Sequence, residues 1–574
     1  MQATERKKSG AHYTPPPLAD FVAREIAIAA KDVGLEGPLR ILDPACGDGE
    51  LLVSALHALR GYRDGLESVL GYDTDGPAVG RAADRITKVR PDLDISIKQA
   101  DFLERVVASG ALSEAPDLFQ DLTPVCADVV ITNPPYVRTQ VLGADRAQRL
   151  AEAFDLSGRV DIYHAFVRAL ATVVRPHGLI GMIVSNRFMT TKAGAATREN
   201  LLQYFDLLHV WDFGDTRLFD AAVLPAVILG RRKGIARPEV VRAPAFISTY
   251  LSGDAKGSPS PEAVLNSVRS DKGRKTPPDT LEIQEGTLDH GRSAGSVWRL
   301  TTPSDDRWLS RVGSRTWKTF GDIAPIRVGV KTTADAVFIR RDWDDMPAEH
   351  RPELLRPLIT HHEARPFRPI ETQAQPMILY THVVDKGKRR AVELDEFPRA
   401  RRYLEMHRAR LEGREYVRKA GRKWYEVWVP QDPDSWTHPK IVFRDIAERP
   451  TFWLDLGGRV VNGDCYWMDM RGVPLEVRRL ILGIGNSKTA LRYYDLRFGN
   501  RLYAGRRRFM TQYVAEFPIP DPSTMESRSL IEKVAEVERL VESGLDCSEV
   551  ESQFTEVDVG VAEAFGLDPE EVSR

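Results

Sequence analysis

A chain of 574 residues exceeds the usual size of one hydrophobic core, so two or three domains are expected. Hydrophobic residues make up 42% and charged residues 28%, and the net charge is −2. That balance is ordinary for a soluble globular protein and excludes a strongly basic nucleic-acid binder, so any such role needs local basic patches. Cys46, Cys126, Cys465 and Cys547 are far apart and form no CxxC pair, which argues against a disulfide framework and against a metal site. No apolar stretch is long enough to span a bilayer, and the start lacks the apolar core of a signal peptide; a cytoplasmic location without a membrane partner is expected.

In chain order, residues 16–232 alternate apolar strands with amphipathic helices. The spacing predicts strands at 40–45, 67–73, 95–102, 127–132, 178–185, 207–213 and 223–231, with helices at 49–62, 76–89, 160–175 and 194–205. Such alternation implies an α/β fold, a seven-stranded, mostly parallel, doubly wound sheet with its last strands at an antiparallel edge. Residues 246–299 are rich in Ser, Gly, Pro and charge and read as a linker or surface loops. Residues 300–523 carry short strands, many prolines and many tryptophans, and predict a second, mixed α/β domain. Residues 524–574 read as a C-terminal helical segment. The first domain is thus placed at 1–245.

The first strand runs into Asp43-Pro44-Ala45-Cys46-Gly47-Asp48-Gly49, ahead of a helix. Glycines here permit positive φ and close approach of a ligand to the backbone. The third glycine of a dinucleotide fingerprint is missing, which weakens a pyrophosphate reading. A carboxylate at the strand end, Asp43, suits a cationic amino group instead. The second strand ends at Asp73, which suits two ribose hydroxyls. The third ends at Asp101-Phe102, where a carboxylate can accept from an adenine amino group and a ring can pack on the base. The ligand these residues imply is an adenosine bearing an amino acid.

The fourth strand ends in Asn133-Pro134-Pro135-Tyr136. Two prolines remove two donors and fix two φ angles, so the turn is rigid. It offers an amide oxygen, a free carbonyl and an aromatic face, which suit a planar group bearing an NH2.

Together these strings resemble the DNA adenine-N6 methyltransferases of restriction–modification systems. The matching segments, in family order, are Gly10–Pro15, residues 43–52, 71–75, 100–102, Asn133–Tyr136, 158–166, 181–189 and the stretch around Phe219. The resemblance implies S-adenosylmethionine as methyl donor. Thr14 and Pro15 would close over it, Asp43, Ala45, Gly47 and Gly49 would line its methionine end, Asp73 its ribose, and Asp101 and Phe102 its adenine. Asn133, Pro134, Pro135 and Tyr136 would form the catalytic turn, and Tyr136 and Phe219 would stack on an extruded adenine. The ribose acid is Asp73 where the family often has Glu. Double-stranded DNA is the implied substrate, and a separately encoded restriction endonuclease the implied companion.

Beyond residue 380 lie two basic clusters. Arg418, Lys419, Arg422 and Lys423 belong to a run with Tyr416 and Trp424 interspersed, and Arg506, Arg507 and Arg508 form a second cluster near Tyr503 and Phe509. Both suit phosphate contacts in a DNA-specificity domain; the run at 399–423 also fits a solvated amphipathic helix. Cys46 reads as a packed turn residue, His12 as a cover of the cofactor pocket, His361-His362-Glu363 as a surface or DNA-contacting loop, and Phe188 as core or pocket wall. A protein-glutamine or RNA methyltransferase would use the same acceptors in its Asn-Pro-Pro-Tyr turn, and cytosine-N4 methylation has similar chemistry. Few residues precede Gly10, where a fused nuclease module usually stands, so a combined restriction–methylation enzyme is the weaker reading.

Overall fold

The computed structural model describes residues 13–62, 65–110, 126–136, 144–154, 162–191, 193–219, 223–234, 243–252, 257–271, 274–291, 296–368, 374–499, 502, 505–545 and 549–572. The chain forms two compact units, Met1–Thr302 with Phe498–Gly505, and Pro303–Arg497 with Arg506–Arg574.

The first unit is built on one sheet of ten strands: β1 (Leu39–Asp43), β2 (Leu66–Asp73), β3 (Asp94–Gln99), β4 (Ala127–Thr132), β5 (Val174–Ser185), β6 (Phe205–Asp212), β7 (Pro225–Arg232), β8 (Ala245–Leu251), β9 (Leu281–Asp289) and β10 (Arg299–Thr301). Their spatial order is β10-β9-β8-β6-β7-β5-β4-β1-β2-β3. The strands from β3 to β5 run parallel, and β7 is antiparallel to both β5 and β6. The helices are α1 (Pro16–Asp32), α2 (Glu50–Ala58), α3 (Gly76–Val89), α4 (Phe102–Ala108), α5 (Ala144–Phe154), α6 (Tyr163–Val173), α7 (Ala195–Tyr204) and α8 (Pro261–Ser267).

The pleat divides the core into two layers, because successive side chains of a strand point to opposite faces. In β4, Val129 and Ile131 join one apolar cluster with Leu18, Phe21, Val22 and Ile26 of α1 and Leu51 and Leu52 of α2. Val130 joins the other, with Leu103 of α4 and Tyr163, Phe166 and Leu170 of α6; Ala127 joins it as well, out of alternation, across a register shift between Ala127 and Val129. Burial on both faces is why β4 reads Ala-Asp-Val-Val-Ile-Thr without polar alternation and is buried throughout.

The seven expected strands are present, and the sheet then continues. Residues 246–299, read as linker or loops, contribute β8, α8, β9 and most of the way to β10; β8 pairs parallel to β6, and β9 antiparallel to β8. The boundary at 245 is therefore corrected to about Thr302. Composition misled because β9 is an edge-proximal strand with a polar face: Glu282, Glu285 and Gln284 are exposed while Leu281 and Leu288 are buried.

In the second unit, a four-stranded antiparallel sheet takes the order Ile326–Val328, Cys465–Asp469, Lys440–Arg444, Phe452–Asp455. Its core gathers Trp343, Trp436, Trp453 and Trp467 with Tyr380 and Tyr403. The terminal helices Met525–Glu542 and Glu551–Ala564 belong to this unit and do not form a separate one.

Candidate active site at the carboxyl ends of the central strands

The chain leaves β1 toward β2 on one side and reaches β4 on the other, so a crevice opens where the strand order reverses. β1 and β4 are direct neighbours, with Ile41 opposite Val129 and Leu42 opposite Val130. That register brings the Asp43 loop and the Asn133 turn to the same end of the sheet.

Asp43 is fully buried; its Oδ1 accepts the Ala45 N–H at 3.0 Å, and its Oδ2 is buried with no hydrogen-bond partner. Burial pushes its pKa up to about 7, against the Ala45 N–H, and the nearby Asp73 charge adds to the rise. A carboxyl whose folded pKa exceeds its unfolded value of 3.8 contributes stability that is full below the unfolded value and lost as pH rises through about 7. Asp43→Asn is expected to flatten that segment of the pH–stability profile. Denaturant titrations across the interval measure it, and an unchanged slope would show that Asp43 does not carry the buried proton.

Gly47 and Gly49 have φ of +52° and +85°, values that only glycine adopts without strain. A Cβ on Gly49 would fall 3.0 Å from Ala82 Cβ, so the loop also needs glycine to let α3 approach. A Cβ on Gly47 would fall 3.2 Å from the Tyr13 ring, which places that ring against the loop. Asp73 Oδ2 accepts the Gly47 N–H at 2.8 Å and Oδ1 the Asp75 N–H at 2.9 Å. Each oxygen keeps a second lone pair for a ligand hydroxyl. Cys46 is buried against Gly71, and burial raises its thiol pKa, so it is a packed turn residue rather than a nucleophile.

The adenine-end residues are engaged by the protein itself. Asp101 caps α4, its Oδ1 accepting from Leu103 N at 3.0 Å and Glu104 N at 3.4 Å, while Oδ2 pairs with Arg146 of α5. Phe102 is a core residue: its ring stacks on Phe166 at 5.9 Å and tilts against Tyr72 at 5.8 Å. The open base-packing face expected of Phe102 is therefore covered by Phe166.

At the turn, Asn133 Nδ2 donates to Thr14 Oγ1 at 3.1 Å, and the Tyr136 hydroxyl donates to Asn133 Oδ1 at 3.0 Å. Tyr136 is half-buried, and burial pushes its pKa up, so it is a neutral phenol. Its ring meets Tyr163 edge-on at 6.3 Å, and Tyr163 stacks on His164 at 4.3 Å. Burial lowers the His164 pKa to about 4, which keeps this support uncharged near neutrality.

Thr14, Asn133 and Tyr136 are thus assembled, as are Asp43, Ala45, Gly47 and Asp73. Phe219 is not brought to Tyr136. It is buried in the layer of α1 with Phe213 and Leu218, whereas Tyr136 packs on the opposite layer. Phe188 is fully buried and edge-on to Trp298 at 5.4 Å, a core residue. Gly10, Ala11 and His12 and residues 158–161 lie outside the described residues.

A buried polar cluster went unread in the sequence. Asp212, at the end of β6, accepts from Asn186 Nδ2 at 2.8 Å, Tyr250 Oη at 2.8 Å and Gly214 N at 3.0 Å. It fixes the start of the loop that leads to Phe219. A run of Asp-Phe-Gly-Asp after a strand was the available signal, but its partners are distant in sequence.

In the second unit, Arg507 makes a bidentate pair with Asp495 at 2.9 and 2.6 Å, and Arg508 pairs with Asp445 at 3.1 Å. Lys423 pairs with Glu393, Lys419 with Glu415, and Arg422 donates to the Trp428 carbonyl at 2.6 Å with its guanidinium 4.8 Å from the Trp428 ring. Arg418 and Arg506 are exposed. Much of both clusters is therefore intramolecular rather than a row of free cations, which for the run at 399–423 is nearer the solvated alternative. His361 Nδ1 lies 2.5 Å from Asp464 Oδ2, and Glu363 is buried with Thr360 and Arg341.

The family relationship follows from sequence and fold together. The model of the Eco57I restriction-modification methylase family matches residues 113–219. The chain is 38% identical over 588 residues to a type II methyltransferase, M.BanIII, of Aneurinibacillus aneurinilyticus, covering 98% of each chain. It is 24% identical over 570 residues to the type II methyltransferase M.BstVI of Geobacillus stearothermophilus, covering 93% of this chain and 94% of that one. The chain belongs to the type II methyltransferases of restriction–modification systems. In fold it is similar to the type IIL restriction-modification enzyme MmeI, with a TM-score of 0.61 at 14% identity over 99% of this chain and 78% of that one. Among the described residues no helix is long and apolar enough to cross a membrane.

Proposed function

We propose that this methyltransferase transfers a methyl group from S-adenosylmethionine to the N6 of adenine at a specific sequence in double-stranded DNA. It would act in the cytoplasm as the modification enzyme beside a separately encoded endonuclease. The carrying observation is the placement of Asn133 Oδ1 and the Tyr136 ring at the end of β4, beside the buried Asp43 carboxyl of β1.

The residues fit the proposed cofactor. The Asp43 Oδ2, buried without a hydrogen-bond partner, suits the ammonium of a methionine group, and a nearby positive charge favours its ionised form. Asp73 suits the ribose hydroxyls. When bound, S-adenosylmethionine supplies an electrophilic methyl on a sulfonium.

The protein's part is positioning. Adenine N6 is a poor nucleophile because its lone pair is delocalised into the ring. Asn133 Oδ1 accepts one N6–H and the Pro134 carbonyl the other, which localises the lone pair on nitrogen. Tyr136 gives the base a stacking face, and its hydroxyl gives up Asn133 Oδ1 as the amine arrives. The rigid Pro134-Pro135 backbone keeps both acceptors in place without reorganisation. The base must leave the duplex to reach this turn.

The testing experiment is expression in a methylation-deficient host followed by single-molecule mapping of modified bases. N6-methyladenine at one motif is the expected result. N4-methylcytosine, or no modified base, would overturn the reading.

The ion pairs of the second unit change what its arginines should do. Arg506→Ala is expected to lower the salt dependence of DNA binding by about one unit of slope if Arg506 meets a phosphate. Arg507→Ala should instead leave Asp495 without its bidentate partner and cost about 1–3 kcal/mol of stability with little change in slope. Binding titrations at several salt concentrations and denaturation curves separate the two. A slope change for Arg507→Ala at full stability would put that side chain on DNA.

A further inference from the structure

We propose that Thr14 is a positioning residue for methyl transfer, its hydroxyl holding the Asn133 side-chain amide with Oδ1 turned toward the target amine. This inference rests on the base-amine reading of the Asn133 turn.

An asparagine amide has two orientations related by a half-turn about its last torsion. Only one serves this chemistry. With Oδ1 outward, the amide accepts the N–H of the base; with Nδ2 outward, one N–H faces another, and the lone pair is not drawn onto nitrogen. In the outward-Oδ1 orientation Nδ2 points into the protein and needs an acceptor there. Thr14 Oγ1 is that acceptor, at 3.1 Å, and Thr14 is nine-tenths buried. Tyr136 occupies the other end of the amide, on Oδ1 at 3.0 Å, the end that the proposed base amine would take. Its hydroxyl yields that place to the substrate, so it cannot hold the amide through the reaction. Thr14 can, because its contact faces away from the base.

The backbone around Thr14 is suited to the task. Pro15 follows it as the N-cap of α1, in extended conformation, and Pro16 opens the helix. A residue before proline is restricted to extended conformations, and two prolines anchor it to a packed helix, so Thr14 has little freedom. The preceding residue, Tyr13, lies against Gly47 and accepts a hydrogen bond from Arg81 at 3.2 Å. One short segment therefore touches the glycine loop after β1 with one side chain and the catalytic amide with the next. Local sequence assigns Thr14 to the cofactor; its hydroxyl in fact reaches Asn133, 119 positions along the chain.

The test compares Thr14→Val, which keeps shape and removes the hydroxyl, with Thr14→Ser, which keeps the hydroxyl. Single-turnover methylation and cofactor Kd by calorimetry are measured for the full-length protein. Thr14→Val is expected to slow the methyl-transfer step by about tenfold to a hundredfold, with cofactor Kd moving less than about threefold, and Thr14→Ser to recover most of the rate. In an Asn133→Asp background the side chain has no N–H to place, so adding Thr14→Val should cost less than about twofold more. A wild-type rate for Thr14→Val would overturn the proposal, as would a parallel loss of cofactor affinity, or equal damage in the serine variant. If the wild-type protein modifies no base amine at all, the functional reading fails first and the role of Thr14 with it; if it does, the ratio between variants decides Thr14 alone.

Discussion

Asn133→Ala is expected to reduce single-turnover methyl transfer by about 10²–10³-fold while leaving cofactor affinity close to that of the wild-type protein. On the proposed reading the side chain contributes one of two acceptors that would localise the N6 lone pair. Its two ends are fixed by Thr14 and Tyr136, and its backbone by the prolines that follow. Alanine keeps the two prolines of the turn and deletes the side-chain amide, the acceptor together with the Nδ2 that Thr14 holds. The effect should therefore fall on the chemical step and not on the Asp43 and Asp73 end of the site, whose contacts run through the β1 and β2 loops. Rapid-quench methylation under enzyme excess, with calorimetry in parallel, separates the two terms. Full single-turnover activity in Asn133→Ala would remove the turn from the active centre.

The first unit was legible where strands are buried on both faces. β1 and β4 are near-continuous apolar runs, closed by Asp43 in one and followed by Asn133 in the other, whereas β5 turns apolar only from Leu179. Less legible were the elements whose partners are remote. α1 needs the sheet to bury Leu18, Phe21, Val22 and Ile26, and β8 and β9 need β6 as a template. β8 and β9 carry polar faces and turn residues, and composition alone assigned them to a linker.

Within the site, residue types were readable but not their engagement. Asp73 and Gly47 meet as a backbone-to-carboxylate bond that neither string records by itself. Asp101 and Phe102 sit where expected, yet the carboxylate pairs with Arg146 and the ring with Phe166. Phe219 joins the α1 layer instead of facing Tyr136. In each case the deciding partner comes from another element, which no local motif records. The same holds for the basic clusters: a run of arginines shows charge, but whether Asp495 or a phosphate answers Arg507 is settled by the tertiary fold.

The largest stability effect is expected from Lys440. It is fully buried in the central strand Lys440–Arg444 and stands directly opposite Asp455 in the register of the sheet. Its Nζ lies 2.6 Å from Asp455 Oδ2 and donates to the carbonyls of Trp436 at 3.0 Å and His438 at 3.2 Å. Burial pulls its pKa down, and the Asp455 carboxylate opposes that shift. Lys440→Met should cost about 3–5 kcal/mol, because Asp455 would be left buried without its cation. Converting both partners, Lys440→Met with Asp455→Leu, should recover much of that loss, since a well-packed apolar pair carries no desolvation penalty. Eight of the ten tryptophans lie in this second unit, so fluorescence-monitored denaturation reports mainly on it. A loss below about 1 kcal/mol would mean that Asp455 finds water or Arg459 in place of Lys440. If the second unit carries DNA specificity, Lys440→Met should also abolish site-specific methylation on warming before cofactor binding is lost. That order follows from where the damage lies: every partner of Lys440 is in the second unit, and every partner of Asp43 and Asp73 is in the first.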